Sequence, residues 1–318
     1  MEIISFLISY LVFPGLIFSV VFGLLYEGID RKIAAHMQNR IGPPLWQPFL
    51  DIGKLLSKED IIPAKAQKLF FSSAPLLAFG AIITVMLFIP VHSIEAALGS
   101  SADLIVVIYL LNIPAISLMI GGYSSSSPFG AIGSARYAVQ LFSYEFAFII
   151  AALTVSGHLI NVGWSNPLSI TSIVEYQVEN SWLIYKLPLA CVAMLLVAPG
   201  KLLKTPFDIP EAETEIVSGP LTEYAGPKLA VFKTTFNVEI LALSALLSAL
   251  FLGGPQSITV QGFSIPGIVS FFIKTIAILI LVTLIRCITA RLRIHQTLKF
   301  YWIPVATLAI LNLVWVVI

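Results

Sequence analysis

Eight apolar runs of about twenty residues each recur along the chain, at roughly 3–26, 70–91, 103–121, 137–160, 182–200, 235–252, 265–287 and 300–318. A helix of that length, rising about 1.5 Å per residue, crosses a hydrocarbon core of about 30 Å. Backbone groups in lipid have no water to bond, so a span is either a helix or part of a closed barrel. The runs are continuously apolar rather than alternating, which selects helices. The expected fold is therefore an all-α membrane protein of about eight transmembrane helices, forming a single polytopic domain over residues 1–318. Composition agrees, with 58% hydrophobic and 11% charged residues and a mean hydropathy of +0.95. The first run has no basic residue ahead of it and no small-residue cleavage site, so it is expected to remain as a helix.

The basic residues orient these spans. If the chain starts outside, 16 of the 18 Lys and Arg fall in the first, third, fifth and seventh loops, and only Lys186 and Lys274 fall elsewhere. The positive-inside rule makes those loops cytoplasmic and places both termini outside a cell membrane. A partner is then expected to dock from the cytoplasm. No internal repeat is visible, which weakens a reading as a stand-alone secondary transporter.

The first cytoplasmic loop carries Arg31, Lys32, Arg40 and Lys54. Arg31 and Lys32 are placed to mark the membrane exit. Pro43, Pro44 and Pro48 oppose a regular helix through 42–48. A helical pattern restarts at Phe49, with Phe49, Ile52 and Leu56 on one face and Asp51, Lys54 and Lys58 on another. This is a short interfacial amphipathic helix. Its charges either face solvent at the lipid surface or line a cavity, with Asp51 turned inward.

Acids are concentrated in the fifth loop as Asp208, Glu211, Glu213, Glu215 and Glu223. Carboxylates beside membrane spans are the usual material of ion pathways. Asp208 and Glu211 have the spacing of a capping box, and Glu213 and Glu215 then fall early in that helix. Capping does not require Glu215 and Glu223. Two further acids lie within spans. Glu145 follows the turn-rich segment from Gly121 to Arg136 and sits about two turns inside span four, and Glu239 lies near the start of span six. A charge at mid-membrane costs about 2.5–3.5 kcal/mol on insertion scales. Protonation or a cation such as Arg136 would reduce that cost. Glu145 is thus either a proton relay or a neutral side chain bonded to a neighbouring helix.

Several chemistries are excluded. Cys191 and Cys287 lie in apolar segments with no neighbour at metal-ligand spacing, and the four histidines are isolated in sequence. No metal site, Walker loop or nucleophile elbow occurs. A net charge of +1 gives no basis for nucleic-acid binding.

Four segments in order resemble the H-type (subunit 1) family of respiratory complex I and its relatives in group 4 membrane-bound nickel–iron hydrogenases. They are Arg31 to Pro43 with Gln47 to Leu55, Gly133 to Glu145, Thr205 to Glu215 with Glu223 and Tyr224, and Arg286 to Gln296. The resemblance implies a non-catalytic heel subunit joining a cytoplasmic redox arm to antiporter-like membrane subunits. It implies that Glu145, Asp208, Glu211, Glu213, Glu215, Glu223 and Glu239 form an ion pathway. Arg31, Lys32, Arg40, Asp51, Lys54, Arg136, Arg291 and Arg293 would form the partner-facing and coupling surface. This chain would bind no cofactor itself, with iron–sulfur clusters and any nickel–iron centre on hydrogenase-like partner subunits. Only Pro44, Leu45 and Trp46 link the Gly-Pro of the first loop to its Gln-Pro, whereas quinone-reducing members usually carry several more residues there. The short link resembles the hydrogenase branch and its archaeal sulfur-reducing relatives, in which ferredoxin drives H⁺ or Na⁺ movement. The alternative is the quinone-binding H-type subunit of NADH:quinone oxidoreductase.

Overall fold

A computed structural model describes residues 8–100, 102–260 and 263–317. Among these, seven helices are long and apolar enough to cross a membrane. Twelve helices matter here: α1 (Leu16–Met37), α2 (Gln47–Leu56), α3 (Lys68–Phe88), α4 (Asp103–Leu110), α5 (Ile113–Ser124), α6 (Pro128–Val162), α7 (Ile170–Glu179), α8 (Leu183–Lys186), α9 (Pro188–Lys201), α10 (Gly226–Phe251), α11 (Gly267–Ile288) and α12 (Ile294–Val317). Helices α4 and α5 together make one broken span. The eighth expected span is the shorter apolar helix α9. Its 14 residues reach about 21 Å, because Pro188 cannot continue α8 and splits the apolar run.

Helix α10 is the axis of the bundle. It is buried along nearly its whole length, and α1, α2, α3, α7, α9 and α11 pack around it. Without a hydrophobic drive between helices in lipid, close packing of small residues does this work. Gly23 on α1 is one such contact, since a Cβ there would come within 2.9 Å of the Val238 Cα on α10. Helix α12 widens into a π turn at Tyr301–Val305, where Pro304 lacks an N–H and its ring crowds the preceding turn.

The structure departs from the sequence expectations in several places. Helix α1 continues to Met37, so Arg31 and Lys32 lie within it rather than at its end. The expected third loop is almost entirely helical, leaving only Ser125–Ser127 between α5 and α6. Its glycines are packing contacts, not turn residues: a Cβ on Gly133 would lie 2.6 Å from Pro220 Cδ. On α2, Pro48 sits in the first turn, where its missing N–H is tolerated. The inward stripe is Pro48, Ile52 and Leu55, with Leu56 exposed. A hairpin, β1 (Ile258–Val260) against β2 (Phe263–Ile265), joins α10 to α11.

Candidate functional site

The long basic loops gather at one end of the bundle, and there α1 brings three charged residues to one face. Glu27, Asp30 and Arg31 are three and four residues apart, so they stack along the helix. Lys204, just after α9, places its Nζ 2.9 Å from Glu27 Oε2 and 3.0 Å from Asp30 Oδ2. Arg286 of α11 bonds Asp30 at 2.5 Å, and Thr283 Oγ1 lies 2.7 Å from the other Asp30 oxygen. Arg31 donates to Glu27 at 2.8 Å and, from its other arm, to Asp51 on α2 at 2.9 Å. Gln47 donates to the second Asp51 oxygen at 3.0 Å.

The result is one ion-paired chain of three carboxylates and three cations, with no net charge. Such balance is the condition for burying charge at tolerable cost. Burial alone would lower the Lys204 pKa, but the charges of Glu27 and Asp30 outweigh it and hold the ammonium above the ordinary lysine range. Burial works the other way on Asp51, and its hydrogen bonds to Arg31 and Gln47 with the Arg31 charge hold it below the usual carboxylate range.

Two clefts flank Arg31, which lines both. One, of about 390 Å³, is bounded by Glu27, Asp51, Lys54, Lys204, Glu211 and Asn237, among others. The other, of about 400 Å³, includes Arg40, Gly42, Thr205 and Arg286 in its wall. Asp51 and Lys54 are therefore cavity-lining residues, and the α2 charges do not simply face solvent. Lys32 is exposed on α1, and Arg40 bonds Gln38.

Loop five does not fold as a capped helix. It forms a 3₁₀ turn at Ile209–Glu211, one α-turn at Glu213–Ile216 and a second 3₁₀ turn at Gly219–Leu221. Asp208 makes no capping bond; Arg291 grips both its oxygens at 2.8 and 2.5 Å. The broken backbone also keeps Glu211 and Glu215 out of one continuous helix, in which two like charges four residues apart would repel. Glu215 is exposed and pairs with Arg136 at 2.5 Å. Glu211 lines the cleft that Asp51 and Lys204 also bound, and Glu223 is half-buried. The Glu213 side chain lies outside the described residues. Gln140 of α6 pins the loop by donating to the Gly200 and Phe207 carbonyls at 2.9 and 2.7 Å. Tyr224 anchors the far end, stacked on Phe71 at 4.1 Å with its hydroxyl donating to the Phe71 carbonyl. Arg293 is exposed, and its backbone N–H donates to Gln296.

The two span carboxylates differ sharply. Glu145 meets Lys201, not Arg136: Lys201 Nζ is 3.2 Å from Oε2, and Asn112 Nδ2 donates to Oε1 at 2.7 Å. Glu239 on α10 is buried at 3% exposure and makes no protein hydrogen bond among the described residues. Lys201 is the cation whose field reaches it. Sequence reading missed Glu27, Asp30, Gln140, Lys201 and Lys204. The helical spacing of Glu27, Asp30 and Arg31 was the one available signal, since the rest depends on contacts between distant segments. No group of three or more His, Cys, Asp or Glu suited to a metal occurs among the described residues.

Comparison with known proteins agrees with this architecture. The NADH dehydrogenase family model matches residues 10–317. The H-type subunit of NADH-quinone oxidoreductase from Bacillus thuringiensis (strain Al Hakam) is 33% identical over 317 residues, covering 96% of this chain and 93% of that protein. Its counterpart from Bacillus cereus (strain AH187) matches equally. A solved chain from the membrane-bound sulfane sulfur reductase, an archaeal respiratory membrane complex, superposes with a TM-score of 0.86 at 28% identity and covers 99% of both chains. A fold built around one central helix, an ion-paired basic end and a full-length sequence match places this chain in the NADH dehydrogenase family, the family of complex I subunit 1.

Proposed function

We propose that this chain is the membrane-embedded heel of an energy-converting redox complex, coupling electron transfer in partner subunits to movement of H⁺ or Na⁺. The observation that carries this reading is the continuous ion-paired chain from Asp51 on exposed α2, through Arg31, Glu27 and Lys204, to Asp30 in the bundle. A charge change at the surface of α2 is felt along such a chain, because each member satisfies its neighbour. Glu211 lines the same cleft, and we read Glu223, Glu239 and Glu145 as further members of the acidic set. Iron–sulfur and hydrogenase-like subunits would dock on the basic face, presenting Lys32, Arg40, Arg136, Arg291 and Arg293, with antiporter-like subunits alongside in the membrane. That face would be cytoplasmic, with both termini outside.

The short Pro44–Trp46 link and the structural likeness to the sulfane sulfur reductase chain support a hydrogenase-like or sulfur-reducing complex driven by ferredoxin. The sequence likeness to the NADH-quinone oxidoreductase relatives supports a second reading, quinone reduction. Purifying the native complex and assaying it with reduced ferredoxin and with a quinone separates the two. The coupling reading is tested by Glu239→Gln and Glu215→Gln in that complex. Both variants are expected to keep subunit content and electron transfer while losing ion translocation. Unchanged ion gradients in both would remove the reading.

A further inference from the structure

A cavity of about 710 Å³ opens between α9, α11 and the start of α12, and it shares no lining residue with the two clefts beside Arg31. Helix α11 gives its wall Leu281, Leu284, Ile285 and Ile288, spaced i, i+3, i+4 and i+7, so one stripe of the helix lines it. Val192, Leu195 and Leu196 make the matching stripe on α9. Phe207 and Phe300, with ring centres 5.6 Å apart, join the two sides at the basic end. Thr289 is the one lining residue with a polar side chain, and its hydroxyl turns back to donate to the Ile285 carbonyl at 2.6 Å. The wall therefore suits hydrocarbon, since a polar group placed there would lose its water without gaining a partner.

The depth of the cavity selects among apolar occupants. The α11 stripe covers about 10 Å of helix. One turn before Leu281, Ile278 is buried by protein, so the stripe stops there. The chain closes the other end: the Leu292 N–H donates to the Pro206 carbonyl at 3.0 Å, and the Thr205 hydroxyl to the Arg286 carbonyl at 3.4 Å. A groove of that length fits within one leaflet, half of a core of about 30 Å. A spanning helix of another subunit would run the whole thickness, whereas an acyl chain fills one leaflet. Leu281 and Ile288 are exposed, so the groove is open along its length.

The closed end is basic. Arg293 follows the lining Leu292 and Lys299 precedes the lining Phe300, so each Cα lies about 3.8 Å from that of a wall residue. Both side chains are exposed and form no ion pair among the described residues, whereas neighbouring Arg291 grips Asp208. Long cationic side chains beside a hydrocarbon groove carry their charge to the level of the lipid headgroups, where a phosphate supplies the counter-charge.

We infer that this groove holds an acyl chain of a membrane phospholipid whose anionic headgroup is bound by Lys299 and Arg293. The inference needs only that the chain lies in a bilayer, and it is independent of the coupling function proposed above.

The test is photolabelling of the purified whole complex with phosphatidylglycerol carrying a photoreactive group in its acyl chain, read by mass spectrometry of the labelled peptides. Label is expected on residues 281–292, displaced more readily by unlabelled phosphatidylglycerol than by phosphatidylcholine. Lys299→Gln is expected to weaken that preference about fivefold, and Arg293→Gln by a similar factor. Arg293 also belongs to the face offered above to partner subunits, so subunit content is measured alongside and Lys299→Gln decides if content falls. Leu281→Trp, which fills the groove from an exposed position, is expected to lose the label with subunit content unchanged; Ala290→Trp replaces it if that variant fails to assemble. No label on 281–292, or label retained in the tryptophan variant, overturns the inference. Equal displacement by the two lipids overturns the headgroup assignment. Cross-linking of 281–292 to another subunit in place of lipid shows a protein occupant and overturns the inference as well.

Discussion

Arg286 and Asp30, 256 residues apart, meet through a guanidinium–carboxylate bond of 2.5 Å that joins α11 to α1. Asp30 is 2% exposed and also accepts from Lys204, so one buried carboxylate holds three separate segments together. Asp30→Asn removes the anion from two cations at once. Breaking one partner of a buried pair costs about 3–5 kcal/mol. The variant complex is expected to melt markedly lower or to assemble poorly, and Asp30→Asn combined with Arg286→Gln is expected to recover part of the loss. Thermal denaturation and yield of the purified complex measure both.

The Asp51 pair has a defined pH signature. Its carboxyl lies below the usual range in the folded protein, so its contribution is full above the unfolded value of about 3.9 and is lost as pH falls through the lowered folded value. Asp51 is partly exposed, and exposed pairs contribute about 0.2–1 kcal/mol. Asp51→Asn should therefore be slightly less stable at neutral pH, with the difference vanishing in acid. Melting curves of wild type and variant across that range check the sign.

Lys204 carries the opposite sign. Its folded pKa is raised, so its stabilisation is complete below the unfolded value of about 10.4 and disappears only as pH rises beyond it. Coupled turnover should accordingly show no inflection from Lys204 around neutral pH. Lys204→Met is expected to destabilise at every pH in that range, while Lys204→Arg is expected to keep much of the pairing. A neutral-pH inflection that Lys204→Arg removes would contradict this assignment.

Arg136 and Glu215 form a pair near the surface, with Glu215 more than half exposed. Its stability contribution is small, about 0.2–1 kcal/mol. Glu215→Gln should leave the melting temperature nearly unchanged, so any loss of ion translocation in that variant reports on coupling and not on folding. Comparing the two readouts on one preparation decides the point.

Gly23→Ala tests the axis of the bundle. The added Cβ would meet the Val238 Cα, a backbone atom that cannot rotate away. Overpacking of this kind costs about 1–3 kcal/mol. The variant is expected to melt lower, whereas Gly53→Ala on α2, where a Cβ meets nothing within 4 Å, is expected to be neutral or slightly stabilised.

The sequence alone determined that this chain is a polytopic helical membrane protein, because continuous apolar runs of membrane-crossing length leave the backbone no other solution. It also located the acids of loop five and the amphipathic helix α2, since both are local in sequence. It could not reveal that Glu145 meets Lys201, that Asp208 serves Arg291 instead of capping a helix, or that Asp30 gathers Lys204 and Arg286. Nor could it tell the packing glycines between Gly121 and Gly133 from turn glycines. Those outcomes were decided by tertiary structure, for one physical reason: in a desolvated interior each charge requires a specific partner, and the partners are supplied by helices far apart in the chain.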